Sequence, residues 1–324
     1  MVALSKIASG LEHSPTLWLN EKVLEKRKSG ETVYHFGFGQ SPFPAPERLK
    51  LALAAQAHRK EYLPSAGLAE LRAAVAGYFQ DKIGKDYTDE IDVIVAPGSK
   101  LILYSLQMAI AGDLLMAVPS WVSYAPHARM VGSAVIPVPV TLDDEGYHID
   151  CDVFRDVIRK ARAAGQNPSK IILNAPNNPT GLCIPEDELR QIAKVCDEED
   201  IFIISDEIYG EVKFDGTYSS VAKYAPHRTA VSTGLSKHLS LGGWRVGVGL
   251  IPKACKGLAQ AMTQIASETW SCVPTPIQKA SIVAYAGHED ITRHVTDSAA
   301  IHGLMNQTVA KALKDAGVNC PVPQ

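Results

Sequence analysis

Short apolar runs recur along the middle of the chain, separated by stretches in which apolar residues return at helical spacing. The runs IDVIVAP (91–97), LLMAVP (114–119), AVIPVPV (134–140), KIILNAP (170–176), IFIISDE (201–207), TAVSTG (229–234) and VGVGLI (246–251) each suit a buried strand. SKLILYSLQMAIAG and PEDELRQIAKVCDEED, lying between some of them, read as crossover helices. GLAELRAAVAGYFQ (67–80) shows the same helical recurrence, and TLWLNEKVLEKRKSG (16–30) predicts a charged amphipathic helix closed by Gly30. HFGFGQSPFPAPERL, punctuated by glycine and proline, predicts an irregular connection. From residue 253 the pattern is helical nearly to the end. Apolar strands joined by helical crossovers predict an α/β fold, with a mostly parallel seven-stranded sheet covered on both faces.

Composition narrows the function classes. With 324 residues, 46% of them hydrophobic, the chain has material for one large domain and a smaller companion. A net charge of -3 gives no basic field for nucleic acid or an anionic membrane. The N-terminus lacks an apolar leader core and no run is long enough to span a bilayer, so a cytoplasmic location is expected. Six cysteines without a C-x-x-C pair argue against a zinc site or a disulfide framework.

Ligands of open α/β sheets gather beyond the carboxyl ends of the strands, so the strand-to-helix junctions are the places to search. They read PGSK (97–100), PSWVSY (119–124), NAPNNPTG (174–181), SDEIY (205–209) and STGLSK (232–237). Gly98 and Ser99 open a helix whose free amides suit an anion, and Arg245 offers a bidentate partner to the same group. Trp121 presents a flat face for stacking. Asp206 ends an apolar strand, where a lone carboxylate is costly without a positive partner. Asn178 and Tyr209 can each hydrogen-bond a phenolic oxygen, and Lys237, desolvated beside positive charge, becomes a usable nucleophile. Each also has an ordinary reading: a plain turn, a core tryptophan, a helix cap, a surface lysine.

Together, KEYLPSAGLAELR (60–72), PSWVSYAPHARMVG (119–132), NAPNNPTG (174–181), SDEIYGEVKFDG (205–216) and SKHLSLGGWRVG (236–247) resemble the class I/II aminotransferases of the fold type I, pyridoxal-phosphate-dependent enzymes. The resemblance implies a three-layer αβα large domain over residues 45–255. It also implies an N-terminal segment, 1–44, packing with the small domain, and an interdomain helix with an incomplete α/β small domain over 256–324. Lys237 would be the Schiff-base lysine and Asp206 the partner of the protonated pyridine nitrogen. Asn178 and Tyr209 would hold the phenolic oxygen, and Trp121 would stack on the ring. Ser99, Lys100, Ser236 and Arg245 fall at phosphate positions, and Gly39 matches a glycine whose backbone lies close to the substrate. Tyr62 matches a tyrosine that reaches the neighbouring subunit's phosphate, which implies a homodimer. The activity implied is amino-group exchange between an amino acid and a 2-oxo acid. A lyase or synthase on the same cofactor and an inactive cofactor-binding fragment are the alternatives.

Three departures from the family pattern stand out. Gly234 occupies a position where many relatives carry a phosphate-binding serine, with Ser232 and Ser236 as candidates to replace it. HFGFGQSPFPAP replaces the commoner G-E-P-D-F form, which makes Gln40, Ser41 and Phe43 candidates for shaping an unusual substrate pocket. No arginine follows Arg293, so the α-carboxylate clamp expected near the family's C-terminus has no candidate, and truncation with impaired turnover is the expectation.

Overall fold

The computed structural model of the chain describes residues 2–11, 15–37 and 39–324; Phe38, within the glycine- and proline-rich connection, lies outside the described residues. The strands, in chain order, are β1 (Ile91–Ala96), β2 (Asp113–Val118), β3 (Val135–Pro139), β4 (Thr141–Leu142), β5 (Tyr147–His148), β6 (Pro168–Asn174), β7 (Phe202–Asp206), β8 (Thr229–Gly234) and β9 (Gly247–Pro252). All seven apolar runs form strands of one sheet, ordered β1-β9-β8-β7-β6-β2-β3, while β4 and β5 pair as a small ribbon. Six strands of the large sheet point the same way. β9 runs antiparallel to both its neighbours, β1 and β8.

Alternation along each strand feeds two cores. Ile171 and Ile203 face one side with Phe154 and Ile158 of the helix Cys151–Ala163 and Leu189 and Ile192 of the helix Glu186–Glu198. On the same side of β1 and β9, Val93 and Leu250 meet Leu71, Val75 and Phe79 of the helix Ala69–Ile83. Ile172 and Ile204 face the other side, with Ile102 and Leu106 of the helix Ser99–Ala109 and Met262 of the helix Leu258–Thr269. Each such side chain, fully buried, contributes roughly 1.5–3 kcal/mol of transfer free energy. That two-sided demand is why these strands read as continuous apolar runs.

The helix expected over 16–30 is present as Pro15–Lys28, and Gly30 follows it at φ +85°. It is not amphipathic against this chain. Among its residues from Trp18 onward only Val23 is buried, while Trp18, Leu19 and Leu24 are exposed. Trp18 and Leu19 are consecutive and so point about 100° apart round the axis, which spreads the apolar positions beyond one stripe.

Lys170, on β6, is fully buried, and its ammonium donates to Ile110 O (2.7 Å), Gly112 O (2.6 Å) and Ser133 Oγ (3.2 Å). It thereby ties the loop after the helix Ser99–Ala109 to the sheet. Lys170→Met is expected to lower unfolding free energy by about 2–3 kcal/mol, because the carbonyls stay buried without their donor. Urea denaturation would check it.

Beyond Pro252 the described residues form the helices Leu258–Thr269, Thr275–Ala284 and Glu289–Asp315 with connecting loops. The helix Thr275–Ala284 packs on the helix Glu47–Gln56. Among the described residues, no helix is long and apolar enough to cross a membrane.

Candidate active site

Strand direction decides where the polar junctions meet. The carboxyl ends of β1, β2, β6, β7 and β8 lie along one edge, so the residues that follow them converge there. Because β9 is antiparallel, its N-terminal end lies at that edge too, which brings Arg245 back beside Lys237. A cavity of about 540 Å³ results, lined by Gly39, Ser99, Lys100, Trp121, Asn178, Asp206, Tyr209, Ser236, Lys237 and Arg245 among others. Of the site residues expected from the sequence, Gly98, Ser232, Phe43 and Tyr62 do not line it; Gln40, Ser41 and the others do. Tyr62 is 91% exposed and stands clear of this chain's cavity.

Glycines open the anion end. A Cβ on Gly98 would lie 2.2 Å from Arg245 Nη2, and one on Gly247 would lie 2.2 Å from Ser99 N. With neither present, Arg245 rests against the start of the helix Ser99–Ala109, whose first amides have no intrahelical acceptor. The guanidinium donates to Gly242 O (3.0 Å) and Pro97 O (3.2 Å), from a backbone held at φ +55°. Lys100 Nζ lies 5.0 Å from the centre of the Trp121 ring, and burial, then Arg245, push its pKa down. Ser236 lines the cavity, whereas Ser232 is buried and donates to Ser99 O at 3.4 Å. Of the two candidates, Ser236 is the one placed to meet a ligand.

Asp206 lies at the inner end, 3% exposed. Its Oδ2 accepts from the Tyr124 hydroxyl at 2.5 Å and its Oδ1 from the Ile208 amide at 3.3 Å. Burial outweighs these donors and pushes the carboxyl up to about 6. Asn174 donates to Asp206 O (2.8 Å) and accepts from the Asn178 amide (2.8 Å), which locks two junctions together. Asn178 Nδ2 reaches Tyr209 OH at 3.3 Å, and burial raises that phenol to about 12, keeping it a donor at neutral pH.

Lys237 Nζ donates to Gly39 O at 2.6 Å and lies 5.3 Å from the centre of the Tyr209 ring. Desolvation lowers its pKa, Asp206 acts against that, and Arg245 adds to it. A Cβ on Gly39 would come within 3.6 Å of Nζ, so a bare backbone faces the amine.

Tyr124, Asn174, Ser123 and Ser240 also line the cavity and have no role in the sequence reading. Tyr124 and Asn174 stand inside the junctions PSWVSY and NAPNNPTG; the signal for Tyr124 is a hydroxyl three residues after Trp121, whose carbonyl accepts the Tyr124 amide at 3.3 Å in the turn that opens the helix Tyr124–Met130.

The arrangement fits pyridoxal phosphate end to end. A helix N-terminus and an arginine suit the dianionic phosphate, a buried carboxylate suits a protonated ring nitrogen, and paired donors suit a phenolate. An aromatic face and a lysine of lowered pKa complete the set.

Comparison with known proteins agrees. Residues 31–324 match the profile of the family described as aminotransferase class I and II. The aspartate/prephenate aminotransferase of Thermus thermophilus is 32% identical over 294 residues, covering 89% of this chain and 74% of that protein. The aspartate aminotransferase of Bacillus subtilis is 30% identical over 331 residues, covering 99% and 81%. A solved structure of the Thermus thermophilus aspartate aminotransferase with maleate superposes with a TM-score of 0.87 at 29% identity, covering 99% of this chain and 83% of that one. The chain belongs to the class I and II aminotransferases, and it is a pyridoxal-phosphate-dependent transaminase of amino acids.

Proposed function

We propose that Lys237 is the reacting lysine and that this chain exchanges the amino group of a small acidic or amide amino acid with a 2-oxo acid. The observation that carries it is one cavity holding Lys237, Asp206, the Asn178–Tyr209 pair and Arg245 at the edge of the sheet. The acidic or amide donor is taken from the relatives, which are named for aspartate, prephenate and asparagine.

Pyridoxal phosphate, when bound, supplies an aldehyde that takes up the amine and a ring that accepts the electron pair released at the neighbouring carbon. Arg245, Ser236 and the amides of Ser99 and Lys100 would hold its phosphate. Trp121 would cover one face of the ring, and Asp206, as a carboxylate, would keep a proton on the ring nitrogen. Asn178 and Tyr209 would donate hydrogen bonds to the cofactor's phenolic oxygen. Lys237, whose amine opens into the same cavity, would take a proton from the substrate Cα and return it on the cofactor side of the nitrogen. Its lowered pKa favours the lone pair this needs, and Gly39 O orients the amine.

The expected domain division, 1–44, 45–255 and 256–324, is retained as part of the proposal, as is a homodimer in which Tyr62 serves the neighbouring site. The exposed position of Tyr62 supports the latter. The test is the chain loaded with pyridoxal phosphate and given L-aspartate, L-asparagine or L-leucine with 2-oxoglutarate. Glutamate formation from the first two, without ammonia release, is expected. Ammonia with no glutamate would replace the transferase reading by a lyase.

A further inference from the structure

The segment that departs from the G-E-P-D-F form reads G-Q-S-P-F at residues 39–43. Within it, the Ser41 hydroxyl meets the Ser240 hydroxyl at 2.7 Å across 199 residues of chain. Both residues line the cavity. Ser240 holds φ +58°, the left-handed region that residues with a Cβ avoid, and such strain persists where the surrounding structure needs it. Ser41 Oγ also accepts from the Phe43 amide at 3.4 Å, and the Phe43 ring stands edge-on to His302, 5.0 Å away on the long C-terminal helix. Two residues before Ser41, Gly39 presents its carbonyl to Lys237. One short segment therefore carries both the hydroxyl pair and the acceptor for the lysine.

We propose that Ser41 and Ser240 are positioning residues whose hydroxyl pair clasps segment 39–43 across the cavity and so sets Gly39 O against Lys237. Any consequence for turnover rests on the role given to Lys237 above. The clasp does not, because it is tested without cofactor. In the full chain free of pyridoxal phosphate, Ser41→Ala and Ser240→Gly are expected to speed amide exchange at Phe43 by about fivefold to tenfold, the equivalent of one hydrogen bond. Lys237 should also become more reactive toward acetic anhydride in competitive labelling. Glycine adopts a positive φ freely, so Ser240→Gly should hold or raise the thermal midpoint while opening the segment. Ser41→Thr, which keeps the hydroxyl, should behave as the wild type.

Unchanged exchange and labelling in both Ser41→Ala and Ser240→Gly would overturn the clasp. So would a Ser41→Thr protein that behaves like Ser41→Ala. If the clasp results hold while a Lys237 variant keeps full turnover, the assignment of the lysine fails and the clasp stands.

Discussion

Replacing Lys237 by alanine is expected to lower amino-group exchange by roughly 10⁴-fold or more while leaving the fold intact. The size follows from removing the group proposed to hold the cofactor's aldehyde and to move the Cα proton, since positioned proton transfer alone contributes about 10²–10⁴. The fold should survive because Lys237 sits in the cavity and donates its one hydrogen bond to Gly39 O. Phosphate binding should survive as well, because Arg245 and the helix start are anchored independently of the lysine. Single-turnover kinetics with L-aspartate, alongside cofactor titration by fluorescence, separates these effects. Turnover at the wild-type order of magnitude would move the chemistry to another residue.

Asp206→Asn should have opposite effects on activity and on stability. Without a carboxylate to keep the ring nitrogen protonated, exchange is expected to fall by about 10²–10³-fold, the scale of losing one preorganised electrostatic partner. The cofactor-free protein should become more stable. Burial raises the folded-state pKa of Asp206 from 3.8 to about 6. Between those values the folded state binds more protons than the unfolded state, so stability falls as pH rises and remains lower above pH 6. Removing the carboxylate lifts that penalty by about 1–3 kcal/mol at pH 7, and by nothing near pH 3. Urea denaturation of both proteins at the two pH values checks the sign. A destabilised Asp206→Asn protein at pH 7 would show that the Tyr124 and Ile208 hydrogen bonds dominate the balance.

The sheet was legible because both faces of these strands are covered, so burial is written into consecutive residues such as Ile171 and Ile172. The site was legible for a related reason. Its residues stand at strand ends, and although Asp206 after IFIIS reads locally as a helix cap, five such junctions together match one family pattern. Contacts made between distant segments were not legible. Nothing in the spacing of Ser41 and Ser240 announces a bond across 199 residues, and the aim of the Tyr124 hydroxyl at Asp206 depends on how the helix Tyr124–Met130 sits over the sheet. The N-terminal helix and its closing Gly30 are legible, but its apolar face is not, because Trp18 and Leu24 stay exposed on this chain.

The reversal of β9 has a mechanical consequence. A single loop leaves β8 at Gly234 and re-enters the sheet at Gly247, carrying Lys237 near its start and Arg245 near its end. The loop therefore works as a tether: both ends are fixed to adjacent strands, which keeps the amine and the guanidinium in one cavity. A ligand that engages both groups bridges the ends of two neighbouring strands, so a shift of one strand against the other would be felt at both of its ends.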